Sequence, residues 1–121
     1  MNYLGLDYGE KHVGVALATG SLAEPLTTID TSHSLRLIKQ LMQKHDIDAI
    51  VAGDCPEKFL NKLSQLGLPV HQADETLSTY DATQSLLHTT QSRRKTTEHA
   101  VAAALILQHW LDASTSTQHQ P

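Results

Sequence analysis

Acidic side chains stand at or just after the ends of three predicted strands that lie far apart in the chain. Asp7 closes the first strand, Asp54 follows residues 48–53, and Asp74 and Glu75 follow residues 70–73 (VHQA). Clustered carboxylates without a second cysteine or a closely spaced histidine pair favour hard divalent cations, Mg²⁺ or Mn²⁺. Two such ions about 3.5–4 Å apart can bind both the attacking and the leaving oxygen of a phosphodiester. The residue types therefore indicate metal-dependent phosphodiester hydrolysis, provided that the fold brings these acids together.

The surroundings of Asp7 permit a structural and a functional interpretation. A single aspartate at the end of a strand is more often a turn or capping residue than a ligand. Gly9 and Gly14 follow Asp7 in the sequence, and glycines let a phosphate chain approach the backbone closely. Convergence with an acid from the end of another parallel strand puts the functional interpretation on an equal footing with the structural one.

The pattern of apolar residues predicts a mixed α/β domain. Continuous or alternating apolar positions indicate strands, and apolar positions three and four residues apart indicate helices. The predicted strands cover residues 2–8, 12–18, about 22–30, 48–53 and 70–74. The predicted helices cover about 33–45, about 56–66, about 78–87 and about 97–112, with a polar loop over 89–97. The element order is βββαβαβαα, in which the first three strands form an antiparallel meander.

The order of the elements also predicts where the acids lie. Strands that are joined through helices are parallel neighbours with right-handed crossovers. Sites in sheets of this kind lie beyond the carboxyl ends of the parallel strands. We therefore expect Asp7, Asp54, Asp74 and Glu75 at one edge of the sheet.

Length and composition limit the classes of protein to consider. The chain has 121 residues, 40% of them hydrophobic, which is enough for the core of one domain. The net charge of −4 argues against a protein that binds nucleic acid over its whole surface, but it is compatible with a local basic patch. A single cysteine, the lack of a long apolar run and an N-terminus without a basic signal region predict a cytoplasmic protein with no membrane partner. We expect one domain over residues 1–112 and a disordered tail over 113–121.

Four segments resemble motifs of the YqgF/RuvX family of small bacterial proteins. Residues 7–16 (DYGEKHVGVA) resemble the family's opening Asp-Tyr-Gly-x-Lys-Arg-x-Gly-Val-Ala, and residues 50–53 (IVAG) resemble its central strand. Residues 74–79 (DETLST) resemble Asp-Glu-Arg-Leu-Thr-Thr, and residues 102–111 resemble the closing helix with its Ile-Leu-Gln. The resemblance implies an RNase H-like mixed sheet of five strands, three antiparallel and then two parallel. It also implies a nuclease that trims the 5′ end of the 16S ribosomal RNA precursor or, in an older description of the family, resolves Holliday junctions.

The resemblance further implies a set of metal-binding and catalytic residues. Asp7 matches the family's first metal-binding acid, and Glu75 matches the second. His99 stands in the last helix where the family normally has an aspartate. Three roles are open to His99: a metal ligand that suits Mn²⁺ better than Mg²⁺, a proton donor to the leaving oxygen, or a spacer in an inactive site. The implied cofactor is Mg²⁺ or Mn²⁺ held by Asp7, Glu75 and His99.

Basic residues for nucleic-acid contact are expected in two places. Arg93, Arg94 and Lys95 form a run in the polar loop just before the last helix, and Lys11 follows the first strand. Together they would supply positive charge near the acidic edge. The alternative interpretation of the run is an ordinary solvated charge cluster.

These features support one preferred hypothesis and two alternatives. The preferred hypothesis is a nuclease that acts on structured RNA, with pre-ribosomal particles as partners and branched DNA as the alternative substrate. Thr76 and His12 stand where the family has arginine, and together with His99 they support a second hypothesis, a catalytically degenerate module that binds RNA or the ribosome. An actin-like ATPase ranks last, because 121 residues leave no second half to close over ATP.

Overall fold

A computed structural model describes the backbone of residues 1–73 and 96–119, with side chains for residues 1–73 and 98–113. The strands are β1 (Tyr3–Asp7), β2 (His12–Ala18), β3 (Ala23–Asp30), β4 (Ala49–Ala52) and β5 (Val70–Gln72). The helices are α1 (Ser34–Lys44), α2 (Glu57–Ser64) and α3 (Thr96–His119), with a 3₁₀ turn over Thr31–His33 before α1. Each predicted strand is confirmed within two residues at either end. The helix predicted over 78–87 lies outside the described residues.

The five strands form one mixed sheet in the order β3-β2-β1-β4-β5. Strand β2 runs antiparallel to β1 and to β3, and β4 runs parallel to β1 and β5. Strands β1, β3, β4 and β5 therefore all end at the same edge of the sheet, which we call the carboxyl rim. The predicted α/β class and the predicted mixture of three antiparallel and two parallel strands are confirmed.

One face of the sheet carries the larger side chains and is covered by α1 and α2. Alternate residues of each strand point to the same face, so Leu4 and Leu6 of β1 lie beside Val13 and Val15 of β2. Ile38 of α1 and Phe59 and Leu63 of α2 complete this cluster. Burial of these apolar side chains is the main stabilising contribution of this face.

The other face carries glycine and alanine and is covered by α3. Ala16 and Ala18 of β2 and Val51 of β4 contact Ala103 and Leu107 of the helix. A Cβ atom at Gly5 would lie 2.8 Å from the Cβ of Leu107 and 3.1 Å from the carbonyl oxygen of Ala103. The small residues therefore let the backbone of α3 approach β1 closely.

The side chain of Gln108 fixes the position of α3 along the helix axis. The side-chain oxygen of Gln108 accepts a hydrogen bond from the backbone N–H of Ala23 at 2.8 Å, and its side-chain nitrogen donates to the carbonyl oxygen of Ser21 at 2.9 Å. Both partners belong to the β2–β3 turn region. These bonds hold α3 in one register against the sheet, which in turn places its first turn at the carboxyl rim.

The last helix is longer than the sequence predicts. Its backbone is helical to His119, whereas the predicted helix ends at residue 112 and is followed by a disordered tail. Residues 113–119 contain neither glycine nor proline, so this segment has no residue that typically ends a helix. Among residues 1–73 and 96–119, no helix has the length and hydropathy of a membrane span.

Candidate active site at the carboxyl rim

Asp7 is the last residue of β1 and lies on the α3 face of the sheet. Its strand alternates, so Asp7 shares this face with Gly5 while Leu4 and Leu6 enter the opposite core. The side chain is 23% exposed. A carboxylate at this position is therefore held by a buried strand and remains partly accessible to solvent.

His99 lies in the first turn of α3 and faces Asp7. Its Nδ1 atom is 3.5 Å from Oδ2 of Asp7, and its side chain is 35% exposed. The contact is an ion pair when the imidazole is protonated and a long polar contact when it is neutral. The structure thus brings together two of the three residues that the resemblance implies as metal ligands.

Gly14 fixes how close α3 comes to the sheet at this point. Gly14 is the β2 partner of Asp7. A Cβ atom there would overlap the backbone carbonyl group of His99 and would lie 2.9 Å from the backbone nitrogen of Ala100. The first turn of α3 therefore lies directly on the glycine, and this contact places the His99 side chain beside Asp7.

A second histidine extends the cluster across the rim. The ring centroids of His12 and His99 are 6.0 Å apart, and Nε2 of His12 is 3.8 Å from Oδ1 of Asp30. His12 begins β2 and pairs with Asp30, the last residue of β3. The polar side chains of Asp30, His12, His99 and Asp7 consequently form a row, which we call the rim row.

Asp30 is the member of this row that the sequence analysis missed. Strand β3 runs in the same direction as β1, because both are antiparallel to β2. Asp30, at the end of β3, therefore reaches the same edge of the sheet as Asp7, although its neighbour β2 is antiparallel. His12 stands where the resemblance implies an arginine, and the structure shows that it also neighbours His99.

The loop between β1 and β2 is anchored to the start of the helical layer. The hydroxyl of Thr31 donates a hydrogen bond to the carbonyl oxygen of Gly9 at 2.7 Å, and the N–H of Thr31 donates to the carbonyl oxygen of Lys11 at 3.0 Å. A Cβ atom at Gly9 would lie 2.6 Å from the carbonyl oxygen of His12 and 3.5 Å from Cε1 of His99. The exposed Lys11 therefore sits on a loop with a defined path beside the rim row.

The remaining predicted site residues are placed only in part. Asp54 is exposed and follows Gly53, whose N–H donates to the carbonyl oxygen of Leu6 at 3.0 Å. The N–H of Ala73 donates to the carbonyl oxygen of Ala52 at 2.7 Å, so the chain reaches the carboxyl rim one residue before Asp74. The other predicted site residues lie outside the described residues: Asp74, Glu75, Arg93, Arg94 and Lys95.

Within residues 1–73 and 98–113, no group of three or more histidine, cysteine or carboxylate side chains is assembled for a metal ion. Asp7 and His99 are two donors that meet. A carboxylate and an imidazole suit Mn²⁺ and are also compatible with Mg²⁺ if further oxygen ligands complete the site. The predicted metal site therefore requires at least one more donor, and Glu75 stays a prediction for that position.

The fold and the rim define the class of protein. Two solved structures share this architecture over almost their full lengths. RuvC of T. thermophilus in complex with a Holliday junction has a TM-score of 0.61 and 15% identity, and the match covers 97% of this chain and 98% of that chain. The Fowlpox virus resolvase bound to Holliday junction DNA has a TM-score of 0.56 and 10% identity, and the match covers 100% of both chains. At such low identity the likeness establishes the fold, which is that of an RNase H-like domain.

The sequence places the chain more narrowly. Residues 1–113 match the model of the RuvX family, described as Holliday junction resolvase, and the chain belongs to this family. A protein of Syntrophus aciditrophicus is 36% identical over 134 residues, covering 93% of this chain and 89% of that protein. A protein of Desulfitobacterium hafniense is 37% identical over 131 residues, covering 93% and 92%. Both relatives are named "Putative pre-16S rRNA nuclease", so the predicted family and its class of nuclease are confirmed.

Proposed function

We propose that this protein is a divalent-metal-dependent nuclease that hydrolyses phosphodiester bonds in structured RNA, and that its substrate is the 5′ end of the 16S rRNA precursor. One observation carries the proposal: Asp7 at the end of β1 lies 3.5 Å from His99 on α3, in an RNase H-like domain. The names of the relatives supply the substrate. Action on a ribosomal RNA precursor would place the protein in the cytoplasm.

The donor atoms at the rim fit a hard divalent ion. Neighbouring ligands of an octahedral Mg²⁺ lie about 3 Å apart, because each bond is about 2.1 Å long. Oδ2 of Asp7 and Nδ1 of His99 are 3.5 Å apart, close to that spacing, so the two side chains would be able to hold one ion together. We propose Asp7, His99 and Glu75 as the ligands, with Mn²⁺ preferred over Mg²⁺ because one donor is an imidazole. When bound, the ion activates water and polarises the phosphodiester.

The side chains of the rim have separate tasks in this proposal. The carboxylate of Asp7 carries the negative charge that attracts the cation, and its strand fixes its position. His99 offers two nitrogens, of which Nδ1 faces Asp7. In a state where His99 is not a ligand and its imidazole carries a proton on both nitrogens, Nδ1–H donates to Asp7 and Nε2–H can pass its proton to the leaving oxygen, which leaves a neutral imidazole. Lys11 and the run of Arg93, Arg94 and Lys95 are proposed to contact phosphates.

Cleavage of a precursor RNA tests the proposal. Asp7→Asn removes the charge and keeps the shape, so we expect at least a roughly 100-fold lower rate with Mn²⁺ or Mg²⁺, as is typical when an electrostatic group of an active site is lost. Asp46→Asn is the matched control, because Asp46 is exposed between α1 and β4 at the opposite edge and its φ of 51° suits asparagine. Equal cleavage by wild type and Asp7→Asn would refute the proposal. A four-way DNA junction in a parallel reaction tests the branched-DNA alternative.

The second candidate is a binding module without catalysis. It is favoured by the imidazole of His99 in a position where the family has a carboxylate, because a neutral ligand weakens attraction for a hard cation. Calorimetric titration with Mn²⁺ distinguishes the two candidates. Heat of binding that disappears in Asp7→Asn supports the nuclease, whereas RNA binding by a protein that takes up no Mn²⁺ supports the module.

A further inference from the structure

A pocket of about 430 Å³ opens at the carboxyl rim on the opposite face of the sheet from His99. It lies between the start of α1 and the start of α2. Tyr8 forms part of its lining and packs on Phe59, with ring centroids 4.7 Å apart. Because Tyr8 follows Asp7 directly, the pocket and the rim row are neighbours separated only by the end of β1.

The pocket concentrates positive charge in an acidic protein. The chain has a net charge of −4, but the described residues that line the pocket include no carboxylate. Arg36 enters from α1, and Lys58 and Lys62 enter from α2. Lys58 and Lys62 are four residues apart, so they lie on the same side of their helix.

These cations are available to a ligand. All three are exposed. In the part of the chain that the structure describes, Arg36, Lys58 and Lys62 form no ion pair with a carboxylate. The exposed side chains of Ser32 and His33 add further hydrogen-bonding groups to the lining. Arginine, lysine and hydroxyl groups around a concave surface are the groups that bind phosphate oxygens of nucleic acids.

We propose that this basic pocket, defined by Arg36, Lys58 and Lys62, binds a phosphodiester of the nucleic-acid substrate next to the one that is cleaved. The proposal rests on the proposed nuclease function for the identity of the ligand. A strand that crosses the carboxyl rim from the α3 face to the α1–α2 face meets Asp7 first and the basic pocket next. The basic pocket therefore sets which phosphodiester of the strand lies at Asp7.

Equilibrium binding in EDTA tests the basic pocket without cleavage. The probes are a labelled RNA hairpin with a single-stranded 5′ extension and a DNA hairpin of the same sequence. For Lys58→Gln/Lys62→Gln we expect about 10-fold weaker binding at moderate salt, and a salt dependence with a slope lower by about 1–2. Lys58→Arg/Lys62→Arg keeps both charges, so its affinity stays within about 3-fold of wild type.

The control removes the same charge elsewhere. Lys39→Gln/Lys44→Gln takes two exposed lysines from α1 that do not line the pocket, and its affinity is expected to change less than about 2-fold. If both glutamine pairs weaken binding equally, or if neither pair weakens it, the proposed role of the basic pocket is overturned and the nuclease proposal stays intact. Failure of the wild type to bind either hairpin would refute the nucleic-acid function and the basic pocket together. A loss confined to the RNA or to the DNA probe identifies which nucleic acid the pocket contacts.

Discussion

The two faces of the sheet are built from the same strands but are packed in opposite ways. On the α1–α2 face, leucine, isoleucine, valine and phenylalanine fill a thick core. On the α3 face, glycine and alanine bring the helix backbone almost onto the strands. A core of large side chains can adjust through rotamers, whereas a helix that rests on glycine has no side chain that can move away.

Because of this difference, one face mainly stabilises the fold and the other positions the side chains of the rim row. The α1–α2 face holds the larger buried side chains, so its cavity-forming substitutions cost stability. The α3 face supplies the contact that sets Asp7 and His99 3.5 Å apart. We therefore expect substitutions on the α3 face to affect both folding and the rim row, and substitutions deep in the other face to affect folding alone.

Gly14→Ala gives the largest expected effect. The new methyl group would overlap the backbone of His99, which cannot be relieved by a rotamer change. We expect a loss of unfolding free energy of about 3 kcal/mol or more, at the upper end for overpacked sites. RNA cleavage per folded molecule should also fall by at least about 10-fold, because a shift of about 1 Å at a catalytic group is costly.

Urea denaturation and cleavage assays on the folded fraction measure these two effects of Gly14→Ala. Gly20→Ala is the control, because a Cβ atom at Gly20 meets nothing within 4 Å. Normal stability and normal cleavage in Gly14→Ala would show that α3 is not held on the sheet by this glycine.

Ile50→Ala gives the second effect, on the opposite face. Ile50 is fully buried in the cluster under α1 and α2 and pairs with Leu4, away from the carboxyl rim. We expect a loss of about 3 kcal/mol in unfolding free energy, as for other buried isoleucines. Cleavage per folded molecule should stay within about 2-fold of wild type, because the rim row lies on the α3 face. A large drop in that specific rate would mean that the two faces are coupled.

The comparison of faces also explains what the sequence could predict. Apolar periodicity located the strands, and the strand-end rule located Asp7 at the rim. Those signals are local. The short distance between Asp7 and His99 depends on Gly14, and a glycine in a strand does not predict which distant helix packs against it. The resemblance to the family implied that His99 belongs with Asp7, but not how the contact is made.

The basic pocket escaped the sequence analysis for a related reason. Arg36 lies on one amphipathic helix, and Lys58 and Lys62 lie on another, so each looks like an ordinary solvent-facing residue. Only the fold, which places the starts of α1 and α2 around one pocket, brings these side chains together. Asp30 could have been found from its place at the end of a strand, since β3 has the same direction as β1. Helix α3 extends past residue 112 because a polar segment without helix breakers carries no stop signal.

His12→Arg gives the smallest expected effect and tests the solvent-exposed end of the rim row. His12 is 48% exposed and lies 3.8 Å from Asp30, which is 66% exposed. An arginine there remains in water, so the unfolding free energy should change by less than about 0.5 kcal/mol. The permanent charge should instead tighten binding of the RNA hairpin by about 2- to 5-fold and raise the slope of its salt dependence by up to about 1.

His12→Gln is the matched control for this last prediction, because it keeps a polar side chain without the permanent charge. If His12→Arg and His12→Gln bind the RNA hairpin equally well at low salt, substrate phosphates do not pass over the His12 end of the row. Tighter binding by the arginine variant alone places the nucleic acid across His12 and His99. The nucleic-acid strand would then cross the α3 face first, where the backbone contact at Gly14 positions His99 beside Asp7, and would reach the basic pocket on the α1–α2 face next.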